Sequence, residues 1–154
     1  MPKRILIVDD DATMINLLAT ILDIEEMEPL KALSAREAFA IIDKDPPDLI
    51  LLDIMMPELD GFEVLARLRK RPETQYLPVI ILSALSDKRS MLKGWKEQAD
   101  EWVSKPFDPM SLVGTIRQVL DKSLEERLAE RARNIDDLLN ILERIDKENS
   151  SRQV

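Results

Sequence analysis

Asp48-Leu49-Ile50-Leu51-Leu52-Asp53, residues 48–53, is a short apolar run that ends in a carboxylate. It is too short for a helix and shows no polar alternation, so it reads as a strand covered on both faces, as in a parallel sheet. Three other runs share this form. Arg4-Ile5-Leu6-Ile7-Val8 leads into Asp9, Asp10 and Asp11; Val79-Ile80-Ile81-Leu82 leads into Ser83; Trp102-Val103-Ser104 leads into Lys105-Pro106. In an open α/β sheet, ligands gather at the carboxyl ends of the strands. The ends of these runs therefore predict carboxylates, one hydroxyl and one ammonium converging on one spot. Such a set suits a magnesium ion, a nucleophile and a phosphate clamp.

The segments between the runs carry helical spacing. Met14, Leu17, Leu18, Ile21 and Leu22 mark the first helix, with Asp11 as its cap. A weak strand is expected near residues 27–33, at a sheet edge because of Pro29. Ser34-Ala35-Arg36-Glu37 is a capping box before Ala38, Phe39, Ile41 and Ile42, and Asp45-Pro46-Pro47 ends that helix. Residues 56–61 have turn chemistry, and Phe62, Leu65 and Leu68 begin a third helix. A fourth helix is expected over 86–98. A fifth follows Asp108-Pro109, an N-cap with proline at the first helical position, and packs through Leu112, Val113, Ile116, Val119 and Leu120. Alternation of strand and helix predicts a right-handed, doubly wound parallel sheet over residues 2–121.

Composition excludes several chemistries. The chain of 154 residues has no Cys and no His, which removes disulfides, thiol catalysis, Ser-His-Asp catalysis and histidine metal sites. Its net charge of −8 opposes direct nucleic-acid binding and attraction to anionic membranes. No run approaches a membrane span and the N-terminal apolar stretch is too short for a secretory signal, so a cytoplasmic location is expected.

Together, Asp9-Asp10, Asp53 in Leu51-Leu52-Asp53-Ile54-Met55-Met56-Pro57, Asp60-Gly61, Ser83-Ala84 and Lys105-Pro106-Phe107 resemble the receiver domain of two-component response regulators. Each piece alone has a plainer reading, as a helix cap, a turn or a solvated lysine. Their order and spacing carry the likeness. The resemblance implies a flavodoxin-like (βα)5 sheet in strand order 2-1-3-4-5. It implies Asp53 as phosphoacceptor, and Mg²⁺ held by Asp9, Asp10, Asp53 and the Met55 carbonyl. Lys105 would act as a charge clamp, Ser83 as a hydroxyl switch and Trp102 as the switch aromatic. It also implies a cis Lys105–Pro106 peptide and a histidine kinase or phosphotransfer protein as donor. The chain departs from relatives at Met55 and Leu85, both apolar and both expected to flank an acyl phosphate, and at Gln98, where relatives often carry glycine.

Two other classes compete. A haloacid-dehalogenase-type phosphatase would need an acid two residues after its nucleophile, where this chain has Met55. A non-phosphorylated pseudo-receiver would not need the complete acidic pair, acceptor, hydroxyl and lysine. The chain is thus expected to be a switch rather than an enzyme, alone or as the regulatory part of a larger protein such as a diguanylate cyclase.

Residues 122–154 form a separate helical extension. Ser123 to Val154 contains no Pro or Gly, and Leu124, Leu128, Ile135, Leu138, Leu142 and Ile145 follow 3-4 spacing, interrupted by Arg131. This pattern predicts a helix continuous with the fifth. It fits a coiled-coil stalk for a homodimer, a linker to an output domain, or an amphipathic helix lying on its own domain.

Overall fold

The computed structural model describes residues 1–57 and 60–152. Five strands, β1 (Arg4–Val8), β2 (Glu28–Ala32), β3 (Leu49–Asp53), β4 (Val79–Ser83) and β5 (Glu101–Ser104), pair in parallel in the order β2-β1-β3-β4-β5. The weak strand with Pro29 is the edge, as its missing donor requires. The helices are α1 (Ala12–Ile24), α2 (Ala35–Lys44), α3 (Gly61–Lys70), α4 (Lys88–Lys96), α5 (Pro109–Asp121) and α6 (Leu124–Arg152).

Alternate residues of the central strands feed two cores, one on each face of the sheet. Leu6, Val8, Ile50, Leu52 and Ile81 meet Ala38 and Ile42 of α2, Leu65 and Leu68 of α3, and Trp95 of α4. Ile5, Ile7, Leu49, Leu51, Ile80 and Leu82 meet Leu18 and Leu22 of α1 and Leu112, Val113 and Ile116 of α5. The expected caps at Asp11, Ser34 and Asp108 form, and Asp60 caps α3 as well. Asp11, Ser34, Asp60 and Asp108 each accept backbone N–H groups in the first turn that follows. Helix α4 begins two residues later than expected, because the Asp87 side chain caps it by accepting from the Ser90 N–H. Gln98 adopts φ 72°, a left-handed conformation that glycine takes without strain. Glu58 and Leu59, expected in the loop before α3, lie outside the described residues.

The structure corrects one expectation: α5 does not run on into the extension. It stops at Asp121, Lys122 turns out at ψ 143°, and a new helix begins. Ser123 and Glu126 form the reciprocal cap of that new helix. The Ser123 hydroxyl accepts from the Glu126 N–H at 3.1 Å, and the Glu126 carboxylate accepts from the Ser123 N–H at 3.3 Å. Helix α6 then packs against α4 of the same chain. Leu138 and Leu142 are buried there, while Leu128, Leu139, Ile141 and Ile145 remain exposed.

Candidate functional site

Four of the five strands each deliver one chemical group to the same edge of the sheet. Asp9 follows β1, Asp53 is the last residue of β3, Ser83 the last of β4, and Lys105 follows β5. Because these four strands are adjacent and in register, with Asp53 beside Leu82 and Ser83 beside Ser104, the groups are neighbours. One carboxylate oxygen from each of Asp9, Asp10 and Asp53 lies within 4.8 Å of the others. Asp9 and Asp53 are buried, and Asp10 faces solvent. Lys105 Nζ sits 2.8 Å from Asp9 Oδ2 and 3.4 Å from Asp53 Oδ2. The Met55 N–H donates to Asp53 Oδ1 at 3.0 Å, and the Asp11 N–H donates to Asp9 Oδ1 at 3.0 Å. The Lys105–Pro106 peptide is cis.

The electrostatics follow from burial and crowding. Burial is the largest influence on Asp53 and pushes its carboxyl above the usual range. The Asp9 charge adds to this, and the Met55 N–H and Lys105 only partly offset it. Burial alone would lower the Lys105 ammonium, but its hydrogen bond to Asp9 and the charges of Asp53 and Asp9 outweigh this and hold it above its ordinary value. The cluster therefore holds more negative charge than Lys105 compensates, with hard oxygen donors pointed at one space.

The switch candidates surround this cluster. Ser83 is fully buried, and its hydroxyl accepts from the Leu85 N–H at 3.1 Å. Leu85 itself is half-buried and packs against the core shared with α4. Met55 is 57% exposed beside Asp53. Trp102 is buried, 6.2 Å from the Phe62 ring, with its indole N–H unpartnered among the described residues. Gly61 allows the loop after β3 to pass close behind the site, since a Cβ there would lie 2.5 Å from the Asp53 carbonyl oxygen.

A family model described as the response regulator receiver domain matches residues 5–117. The chain belongs to this family. The receiver is 37% identical over 121 residues to the phosphate regulon transcriptional regulatory protein PhoB of Pseudomonas aeruginosa, covering 79% of this chain and 53% of that protein. It is 36% identical over 119 residues to the response regulator PleD of Caulobacter vibrioides, covering 77% of this chain and 26% of that one. The chain thus spans about half the length, or less, of these curated relatives. Among solved structures, a CheY-like receiver domain protein from Methanospirillum hungatei superposes with a TM-score of 0.74 at 30% identity, covering 84% of this chain and 99% of that one. The chemotaxis protein CheY4 of Vibrio cholerae gives 0.74 at 28% identity, covering 77% of this chain and 99% of that one. The receiver's fold is accordingly the CheY-like flavodoxin fold with an added C-terminal helix.

A second polar cluster escaped the sequence reading. Asp100, just before β5, is buried and accepts from Arg127 Nε at 2.8 Å, Arg131 Nη2 at 2.7 Å and the Val79 N–H at 2.8 Å. Arg69 Nη2 lies 3.4 Å away. Three guanidiniums thus share one carboxylate. Arg131, which interrupts the apolar seam, is no defect; it ties α6 to the receiver. The signal was present in the sequence as Arg127 and Arg131, four residues apart on the helix face that carries the leucines.

Proposed function

We propose that this receiver is a phosphorylation-controlled switch that accepts a phosphoryl group on Asp53 from a phosphohistidine of a histidine kinase or phosphotransfer protein. One observation carries the reading: the carboxylates of Asp9, Asp10 and Asp53 converge with Lys105 at the carboxyl edge of the sheet. The three-carboxylate, all-oxygen donor set fits Mg²⁺, which favours hard ligands and retains water. Asp9, Asp10, Asp53 and the Met55 carbonyl would hold it. When bound, it supplies neutralisation of the charge that develops on the phosphoryl oxygens.

The chain's own groups do the rest. An Asp53 oxygen attacks phosphorus, and the new O–P bond forms as the P–N bond to the donor imidazole breaks, its electron pair leaving on nitrogen. Lys105 stays an ammonium at neutral pH and offers its proton-bearing nitrogen to a phosphoryl oxygen in place of Asp9. Ser83 turns its hydroxyl from acceptor of the Leu85 N–H to donor toward the new phosphate. In this reading residues 2–121 are the switch, and residues 122–154 are a helical extension that reads its state.

Incubation with acetyl phosphate and Mg²⁺, followed by intact-mass measurement, tests the proposal. A single phosphoryl adduct is expected, absent in Asp53→Asn and in EDTA. An adduct that survives Asp53→Asn assigns the acceptor elsewhere, and one that forms equally well in EDTA removes the Mg²⁺ requirement.

A further inference from the structure

Helix α6 is held to its domain very differently along its length. Near its start, Arg127 and Arg131 are locked to the buried Asp100 at the amino edge of the sheet. Farther on, Leu138 and Leu142 are the buried contacts, with Ile135 packed beside them. Beyond these, Asp146 meets Arg89 at 3.0 Å, and both side chains are well exposed, so that pair holds little in water. Because α4 begins just after the loop that follows Ser83, Arg89 marks its upper end. Helix α6 therefore climbs antiparallel to α4, and its Asp146 turn reaches the first turn of α4. Ile135 and Leu138 belong to the same packed cluster as Leu85, Met91, Leu92 and Trp95. Leu85 in turn is tied through its N–H to the Ser83 hydroxyl.

We propose that residues 135–148 of α6 form a displaceable cover on α4, loosened when Asp53 is phosphorylated, and that the uncovered strip pairs with the same strip of a second copy of this chain. The inference rests on the reading of Asp53 as phosphoacceptor. A Ser83 hydroxyl drawn toward a phosphate lets go of the Leu85 N–H, and Leu85 shifts within the cluster on which α6 rests. The Arg127–Arg131–Asp100 anchor is remote from this event and acts as the hinge.

The occupant follows from the strip itself. Ile135, Leu138 and Leu142 are turned inward and Ile145 is exposed, yet the four are spaced 3-4-3, so a partner helix takes the whole seam only when α4 gives it up. Leu139 and Ile141 already lie exposed at its flanks. Asn149 falls at the next seam position, where asparagine selects a two-stranded register. The five carboxylates of Asp136, Asp137, Glu143, Asp146 and Glu148 outnumber Arg144 and Lys147, so the strip stays net acidic, which disfavours an anionic membrane. A helix this short is marginal alone, so release is completed by pairing, and identical strips close as a twofold dimer.

Hydrogen exchange and sedimentation of the full chain, with and without beryllofluoride and Mg²⁺, test this. With beryllofluoride, amides of 135–148 are expected to exchange about tenfold faster in submicromolar protein while those of 124–131 stay protected. At tens of micromolar the chain is expected to sediment as a dimer. Ile145→Asp is the discriminating variant, because Ile145 is 40% exposed in the docked state yet lies on the seam. It should leave resting protection unchanged and abolish the dimer. If beryllofluoride protects the Ser83 loop in wild type but not in Asp53→Asn, and 135–148 still exchanges unchanged in a monomer, the cover is wrong while the phosphoacceptor reading stands. Dimerisation of Ile145→Asp as strong as wild type would overturn the pairing. If beryllofluoride leaves the Ser83 loop untouched, the phosphoacceptor reading fails and takes this inference with it.

Discussion

Removing Asp100 should damage this protein far more than removing one of its partners. The Asp100 side chain is 1% exposed, and those of Arg69, Arg127 and Arg131 are 5%, 8% and 5% exposed. Burial pushes the Arg69 guanidinium down to about 10; Asp100 acts to raise it, and Arg131 and Arg127 lower it further. Asp100→Asn keeps the volume but leaves three buried cations with no anion. Breaking a buried pair in this way costs about 3–5 kcal/mol. Arg131→Met is the opposite case. It gives up one charged hydrogen bond, worth about 1.5–3 kcal/mol. It also removes Arg131 Nε and Nη1, both buried without a partner among the described residues, and each such group costs about 1–3 kcal/mol. Repulsion from the other two guanidiniums disappears as well, so the net change should lie within about 1 kcal/mol of zero. Urea unfolding followed by circular dichroism separates the two. An Arg131→Met loss above about 2 kcal/mol, or an Asp100→Asn loss below about 1 kcal/mol, would refute the view that this cluster holds excess positive charge.

Further outcomes follow from single residues. Gln98→Gly should stabilise the fold by about 1 kcal/mol in thermal unfolding, because it relieves a left-handed φ of 72° while the Gln98 carbonyl still accepts from Arg69. Asp53→Asn should raise stability at pH 7 by about 1 kcal/mol. Burial and Asp9 raise the Asp53 pKa, so its penalty exists when it is ionised and fades as pH falls through the folded-state value. Denaturant midpoints at pH 7 and at pH about 4 check this sign. Glu101 behaves alike: burial raises it above its ordinary 4.5, despite the Trp102 N–H and Lys122. Glu101→Gln should therefore be the more stable form at neutral pH, with its advantage lost once pH drops below the unfolded-state pKa; a rising advantage in acid would contradict the burial argument.

The sheet and its reactive edge were legible because two signals coincide in the chain. Apolar runs such as Leu49–Leu52 have no polar alternation, which only a doubly covered parallel strand tolerates, and each run ends in the residue that faces the site. The path of α6 was not legible from its leucines, since 3-4 spacing is the same whether a helix packs on its own domain or on another copy. The deciding partners lie far apart in sequence, Asp100 with Arg127 and Arg131. Read singly, Asp100 is an ordinary loop acid and Arg131 a blemish in a seam. The break at Lys122–Ser123 was hidden for a different reason. It uses neither Pro nor Gly, only a Ser-x-x-Glu cap that also fits the interior of a longer helix.

The two tryptophans of this chain both lie where α4 meets β5. Trp95 and Trp102 are 5% and 7% exposed, and Gly94 brings the helix so close that a methyl there would sit 2.8 Å from the Trp102 ring. The protein thus carries its optical reporters at the seat of α4, with no label required. Intrinsic emission is dominated by two indoles shielded from water, one of them with no hydrogen-bond acceptor among the described residues. A change in the seating of α4 admits water or a dipole to these rings and shifts the colour of the light they emit, while motions at the distant β2 edge leave it unchanged.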